Sequence, residues 1–133
     1  MASILIIEDD DAIRSLLVTF LSAAGHTVRE AADGNEGLRQ YRAQPADLVI
    51  TDMVMPEKEG LGTIMELRRE YPQARIIAMS GGLAHNAGLY LHMAERLGAV
   101  RIMRKPFRLD ELETIIAEAL ASGDGPPPPA PAT

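Results

Sequence analysis

Several residues suited to phosphoryl chemistry stand just after apolar runs in this chain of 133 residues. Glu8 and Asp9 follow the run Ser3 to Ile7, Asp52 follows Asp47 to Thr51, and Ser80 follows Ala74 to Met79. Lys105, with Pro106 behind it, comes shortly after Val100 to Met103. Brought together, the carboxylates would repel one another and cost stability unless a cation joined them. Oxygen donors in a chain with no cysteine call for a hard divalent ion, and Mg²⁺ is the natural choice beside phosphate. Ser80 and Lys105 are then suited to donate to phosphoryl oxygens, over which negative charge spreads in the transition state. Asp52 is the nucleophile candidate, because a carboxylate can carry a phosphoryl group as an acyl phosphate. An ionised carboxylate needs no activating base.

These residues can meet only if the runs are strands of one sheet. Ser3 to Ile7 is apolar on both faces, as in a strand buried from both sides of a parallel sheet. Asp10 or Asp11 can cap the helix that follows, in which Ile13, Leu16, Leu17, Phe20 and Leu21 recur at helical spacing. Gly25 ends it. The pattern repeats with a strand over His26 to Ala31 and a helix from about Gly34 to Arg42. It continues with a strand over Asp47 to Thr51, a helix over Gly60 to Tyr71 and a strand over Ala74 to Met79. A looser stretch from Ser80 to Gly88 leads to a helix ending near Leu97-Gly98. Val100 to Met103 and Leu109 to Leu120 give the last strand and helix. Strands alternating with helices predict a doubly wound, five-stranded parallel sheet in a three-layer α/β/α sandwich. In such sheets ligands bind at the carboxyl ends of the strands, where every residue named above falls.

Composition narrows the function. Net charge is −6, which argues against a direct nucleic-acid surface needing clustered Lys and Arg. The absence of cysteine excludes disulfides, thiolate chemistry and Cys-based zinc sites. No apolar run approaches the roughly 20 residues that span a bilayer. No basic leader precedes the first strand, so a cytoplasmic, membrane-free domain is expected over residues 1–121. From Ser122 the chain turns to Gly-Asp-Gly and a proline-rich segment. Residues 122–133 are therefore read as an extended flexible tail or linker stub.

Over residues 2 to about 121 the chain resembles the receiver domain of response regulators in two-component systems, whose fold is flavodoxin-like. The resemblance rests on Ile-Leu-Ile-Ile-Glu8-Asp9-Asp10 with Arg14 beyond it, and on Asp47-Leu-Val-Ile-Thr-Asp52-Met-Val-Met-Pro56 with Gly60 after it. Ser80-Gly81-Gly82, Leu97-Gly98-Ala99 and Lys105-Pro106-Phe107 complete it. It implies that Asp52 is the phosphoacceptor, and that Asp9 and Asp52 bind Mg²⁺ directly. Glu8 would bind through water, and the Val54 backbone carbonyl would add a ligand. It further implies that Lys105 contacts the phosphoryl group, that Ser80 is the switch hydroxyl and that a cis peptide precedes Pro106. The phosphoryl donor would be a sensor histidine kinase or a His-containing phosphotransfer protein. With no effector domain following, the output would pass to a separate effector protein, with a phosphorylation-dependent homodimer as one form. Such a domain assists its own phosphorylation and dephosphorylation and is otherwise not an enzyme.

Three departures from the family pattern stand out. Ile102 occupies the usually aromatic switch position in the fifth strand, so a rotating ring cannot report phosphorylation. The Ser80 to Gly98 segment is longer than usual and carries Gly81, Gly82 and Gly88. Val54 and Gly82 replace polar groups that influence the hydrolytic water, which predicts slow self-dephosphorylation.

Taken singly, the motifs have plainer readings: an N-cap for the Asp pair, turns for Asp52 and Ser80-Gly81-Gly82, a solvated loop for Lys105-Pro106. These give way because all would coincide at one edge of one sheet. His26, His85 and His92 show no metal-ligand spacing, and the methionines read as core filler. A haloacid-dehalogenase-type phosphatase, with Asp9 as nucleophile and Asp11 as general acid, would need a further acidic pair and would leave Asp52 unexplained. A flavin carrier would need a phosphate loop where the sequence is acidic. A phosphorylation-independent binding module is the remaining alternative.

Overall fold

A computed structural model of the chain describes residues 2–52, 60–80, 101–104 and 107–121. In order these form β1 (Ser3–Ile7), α1 (Asp11–Ala23), β2 (Thr27–Ala31), α2 (Gly34–Ala43) and β3 (Leu48–Asp52). They continue with α3 (Gly60–Glu70), β4 (Ile76–Ser80), β5 (Arg101–Arg104) and α4 (Leu109–Ala121). The helix expected to end near Leu97 and the proline-rich segment lie outside the described residues. Among the described residues no helix is long and apolar enough to cross a membrane.

The five strands form one parallel sheet in the order β2-β1-β3-β4-β5, a doubly wound sheet as the alternation predicts and flavodoxin-like as the resemblance implies. From β1 the chain goes first to one side and then, at β3, to the other. The carboxyl ends of β1 and β3 therefore flank the switch point where doubly wound sheets hold ligands. Glu8 follows β1 and Asp52 ends β3, so the topology alone brings them to the same crevice.

What reads in sequence as a uniform apolar run is two alternating faces. Leu5 and Ile7 join Leu38 and Tyr41 of α2, Val49 of β3, and Ile64 and Leu67 of α3 in one core. Ile4 and Ile6 join Leu17 and Leu21 of α1, Ile50 of β3, and Leu112 and Ile116 of α4 in the other. Ile4, Leu5, Ile6 and Ile7 are each 0% exposed; at about 1.5–3 kcal/mol per fully buried aliphatic side chain, β1 anchors both layers. The helix α2 lies so close to β1 that a Cβ at Gly37 would run into the Ile7 side chain at Cδ1 and Cγ1. Tyr41 and Tyr71 stack edge to face at 4.7 Å, and burial pushes the Tyr41 hydroxyl up to about 12.

The helix ends follow from local chemistry. Asp10 Oδ1 accepts from the Ile13 N–H at 3.0 Å and caps α1; Asp33 Oδ1 accepts from the Glu36 N–H at 2.8 Å and caps α2. Gly25, at φ 98°, closes α1. The Gly25 N–H reaches Ser22 O at 3.0 Å and the His26 N–H reaches Leu21 O at 3.1 Å, a pairing that needs the left-handed residue between.

Candidate functional site

The β1–α1 turn and the end of β3 bring Glu8, Asp9 and Asp52 together, each offering a carboxylate oxygen within 4.8 Å of the others. Glu8 is fully buried and Asp52 only 6% exposed, whereas Asp9 faces solvent. Carboxylates this close, two of them out of water, repel one another, and a cation among them would offset that repulsion. The donor set is oxygen only, and oxygens bound to one Mg²⁺ lie at most about 4.2 Å apart, twice a bond length of about 2.1 Å. The spacing therefore fits a single small hard cation after slight closure, or with one carboxylate bridged through water.

The backbone around the cluster is held closely. The Glu8 N–H donates to Ala31 O of β2 at 3.0 Å. The Glu8 side chain turns back and accepts, on Oε2, from the Asp10 N–H at 3.0 Å. Arg14 reaches back from the first turns of α1 and donates from Nη1 to the Glu8 carbonyl at 2.8 Å. Its Nε donates to Glu30 of β2 at 3.0 Å and its Nη2 to Asp11. Hydrogen bonding to Asp11 raises the Arg14 pKa first, burial opposes it, and Glu30 adds to the rise. At β3 the buried Thr51 hydroxyl donates to the Asp52 carbonyl at 3.1 Å.

Of the remaining residues expected at the site, Ser80 ends β4, where its backbone pairs with Arg104 of β5. The register sets Asp52 beside Met79, one residue before Ser80. Ile102 lies within β5 opposite Ala78. Val54, Lys105 and Pro106 fall outside the described residues. Sequence reading did not find the Arg14–Glu30 bridge or the Thr51 hydroxyl. Arg14 and Asp11 are three apart on a helix and could have been paired. Nothing local in the sequence points from Arg14 to a strand residue 16 positions on.

Comparison with known proteins identifies the family and the fold. The family model described as the response regulator receiver domain matches residues 4–117. The DNA-binding transcriptional regulator NtrC of Azospirillum brasilense is 38% identical over 125 residues, which cover 94% of this chain and 25% of that protein. The sensor kinase CckA of Brucella abortus is 35% identical over 125 residues, covering 92% of this chain and 13% of the kinase. The chain thus spans a quarter or less of these two relatives. Among solved structures, the receiver domain of NtrX from Brucella abortus superposes with a TM-score of 0.82 at 29% identity, covering 90% of this chain and 98% of that one. The chemotaxis protein CheY4 of Vibrio cholerae gives a TM-score of 0.82 at 26% identity, with the same coverage of 90% and 98%.

Proposed function

The chain belongs to the response regulator receiver domain family of two-component systems, and from that premise we propose that Asp52 is its phosphoacceptor. The observation that carries this reading is the convergence of Glu8, Asp9 and Asp52 at the β1/β3 switch point. In the proposed reaction a carboxylate oxygen of Asp52 attacks the phosphorus of a phosphohistidine. The new O–P bond forms as the P–N bond breaks, and its electron pair returns to the departing imidazole. Asp52 is left as an acyl phosphate.

Asp9 and Asp52 would hold Mg²⁺ directly, with Glu8 bound through water and the Val54 carbonyl as a further ligand. When bound, the ion supplies positive charge beside the phosphoryl oxygens. Lys105 and Ser80 are assigned as donors to those oxygens, and Ser80 as the hydroxyl that shifts on phosphorylation. With Ile102 at the switch position, the state of Asp52 is read through Ser80 and the segment after it. The donor is a sensor histidine kinase or a His-containing phosphotransfer protein, and the output goes to an effector protein or to a second copy of the chain. The domain occupies residues 1–121, works in the cytoplasm, and carries residues 122–133 as tail or linker. It promotes its own phosphorylation and a slow dephosphorylation, and turns over no other substrate.

The test is incubation with Mg²⁺ and acetyl phosphate or phosphoramidate, read by intact mass. One added phosphoryl group, absent in Asp52→Asn and without Mg²⁺, is the expected result. Continuous phosphate release that survives Asp52→Asn and dies with Asp9→Asn would instead identify a phosphatase. Silence in both assays, from folded protein, would leave a binding module.

A further inference from the structure

Asp9 is the one exposed member of the carboxylate cluster, so packing does not hold it as it holds Glu8 and Asp52. What fixes its direction is the backbone on either side. The peptide linking Glu8 to Asp9 is gripped at its carbonyl by Arg14 Nη1 at 2.8 Å. The peptide linking Asp9 to Asp10 is gripped at its N–H by Glu8 Oε2 at 3.0 Å. With both flanking planes held, the φ and ψ of Asp9 have little freedom. The Arg14 side chain is 16% exposed and is itself oriented by Asp11 within α1 and by Glu30 across on β2. A planar guanidinium can serve these acceptors together, whereas an ammonium cannot reproduce the fork.

We propose that Arg14 is a positioning residue for the cation site: it presets the backbone at Asp9 so that the exposed carboxylate meets Glu8 and Asp52 without reordering. The inference rests on the reading of that cluster as a Mg²⁺ site. Arg14 would act through the Glu8 carbonyl and not on the ion, much as outer-shell partners orient metal ligands in general. Glu30 belongs to the same device, since it ties the guanidinium to the edge strand.

Mg²⁺ binding by titration calorimetry at neutral pH tests this directly, with phosphoramidate phosphorylation measured alongside at rising Mg²⁺. Arg14→Ala should weaken Mg²⁺ on the order of tenfold, and the phosphorylation rate should recover toward wild type as Mg²⁺ saturates. Arg14→Lys should recover only part of the affinity, and Glu30→Gln should lose less than Arg14→Ala. In the metal-free protein, the Asp10 amide should exchange faster in Arg14→Ala than in wild type. A folded Arg14→Ala whose melting temperature falls while its Mg²⁺ affinity stays at the wild-type value would overturn the proposal. Should Arg14→Ala not fold, wild-type affinity in both Arg14→Lys and Glu30→Gln would overturn it equally. A wild type that binds no Mg²⁺, and is unchanged by Asp52→Asn, would remove the site reading and this inference with it. An unchanged variant beside a binding wild type removes the inference alone.

Discussion

Two arginines in this domain each sit between a pair of carboxylates. Arg14 lies between Asp11 of α1 and Glu30 of β2. Arg42, near the end of α2, lies between Glu66 and Glu70 of α3. The difference is in exposure and in what else each cation holds. Arg42 is 45% exposed and ties two helices together on the outside of the sandwich. Arg14 is 16% exposed and also grips the backbone carbonyl one residue before Asp9. An exposed ion pair is screened by water and contributes little; a half-buried guanidinium held on a main-chain carbonyl restricts where the next side chain points. The sequence motif marks Arg14 and not Arg42, but it does not show which groups Arg14 holds.

The contrast is sharpest in chemistry. Asp52→Asn should abolish the phosphoryl adduct outright, because the amide cannot form the acyl phosphate. Arg42→Ala, at the far face, should leave adduct formation by intact mass unchanged. An Arg42→Ala protein that phosphorylates poorly would mean that the α2–α3 face communicates with the site.

Next in size is a substitution between the two regions. Gly37 of α2 rests on Ile7, the residue before Glu8, with no space for a methyl group. Gly37→Ala should destabilise the fold by about 1–3 kcal/mol in urea unfolding, the range for overpacking a filled core, even though alanine favours a helix. Unchanged stability would show that Ile7 can turn aside at no cost.

The helix caps separate support of a helix from support of the site. Asp10→Ala and Asp33→Ala each remove a side-chain cap and should each cost about 1 kcal/mol. Asp10→Ala keeps the backbone N–H that Glu8 accepts, so Mg²⁺ affinity should stay near wild type in both variants. A large loss of affinity in Asp10→Ala alone would assign to the cap what is assigned here to Arg14.

How far these contrasts could be read from sequence depends on the range of the interaction. The alternation of elements is local, and it appeared in the expected order wherever the chain is described. Strand ends were shifted. The third strand was expected over Asp47 to Thr51 and runs over Leu48–Asp52; the fourth was expected over Ala74 to Met79 and runs over Ile76–Ser80. A strand ends where its neighbour stops pairing, and the Asp52–Met79 and Ser80–Arg104 pairings are set by the sheet and not by either segment. Glu8, Asp9 and Asp52 were legible because chemistry-bearing residues directly followed apolar runs. Gly37 was not, since its need to be small comes from Ile7, a strand away. Glu30 was not, because an acidic residue on an edge strand has no local signature of pairing with a helix.

The smallest expected effect lies at Arg42 and is the most informative about charge. Glu70 takes two bonds from Arg42, Nε to Oε1 at 2.8 Å and Nη2 to Oε2 at 2.6 Å, and hydrogen bonding to Arg42 holds its carboxyl below the ordinary value of 4.5. A carboxyl whose pKa is lowered on folding stabilises the folded state fully above its unfolded pKa. That contribution disappears as the pH falls through the folded value, where both states bind the proton. The stability difference between wild type and Arg42→Ala should therefore be small but present near neutral pH, and shrink once the pH drops below 4.5. Raised salt at neutral pH should narrow it too, since the pair is open to solvent. Thermal melts across pH and salt would measure it. A difference that persists unchanged into acid and high salt would assign the effect of Arg42 to the packing of its aliphatic stem between α2 and α3, and the two arginines would then differ in kind and not only in degree.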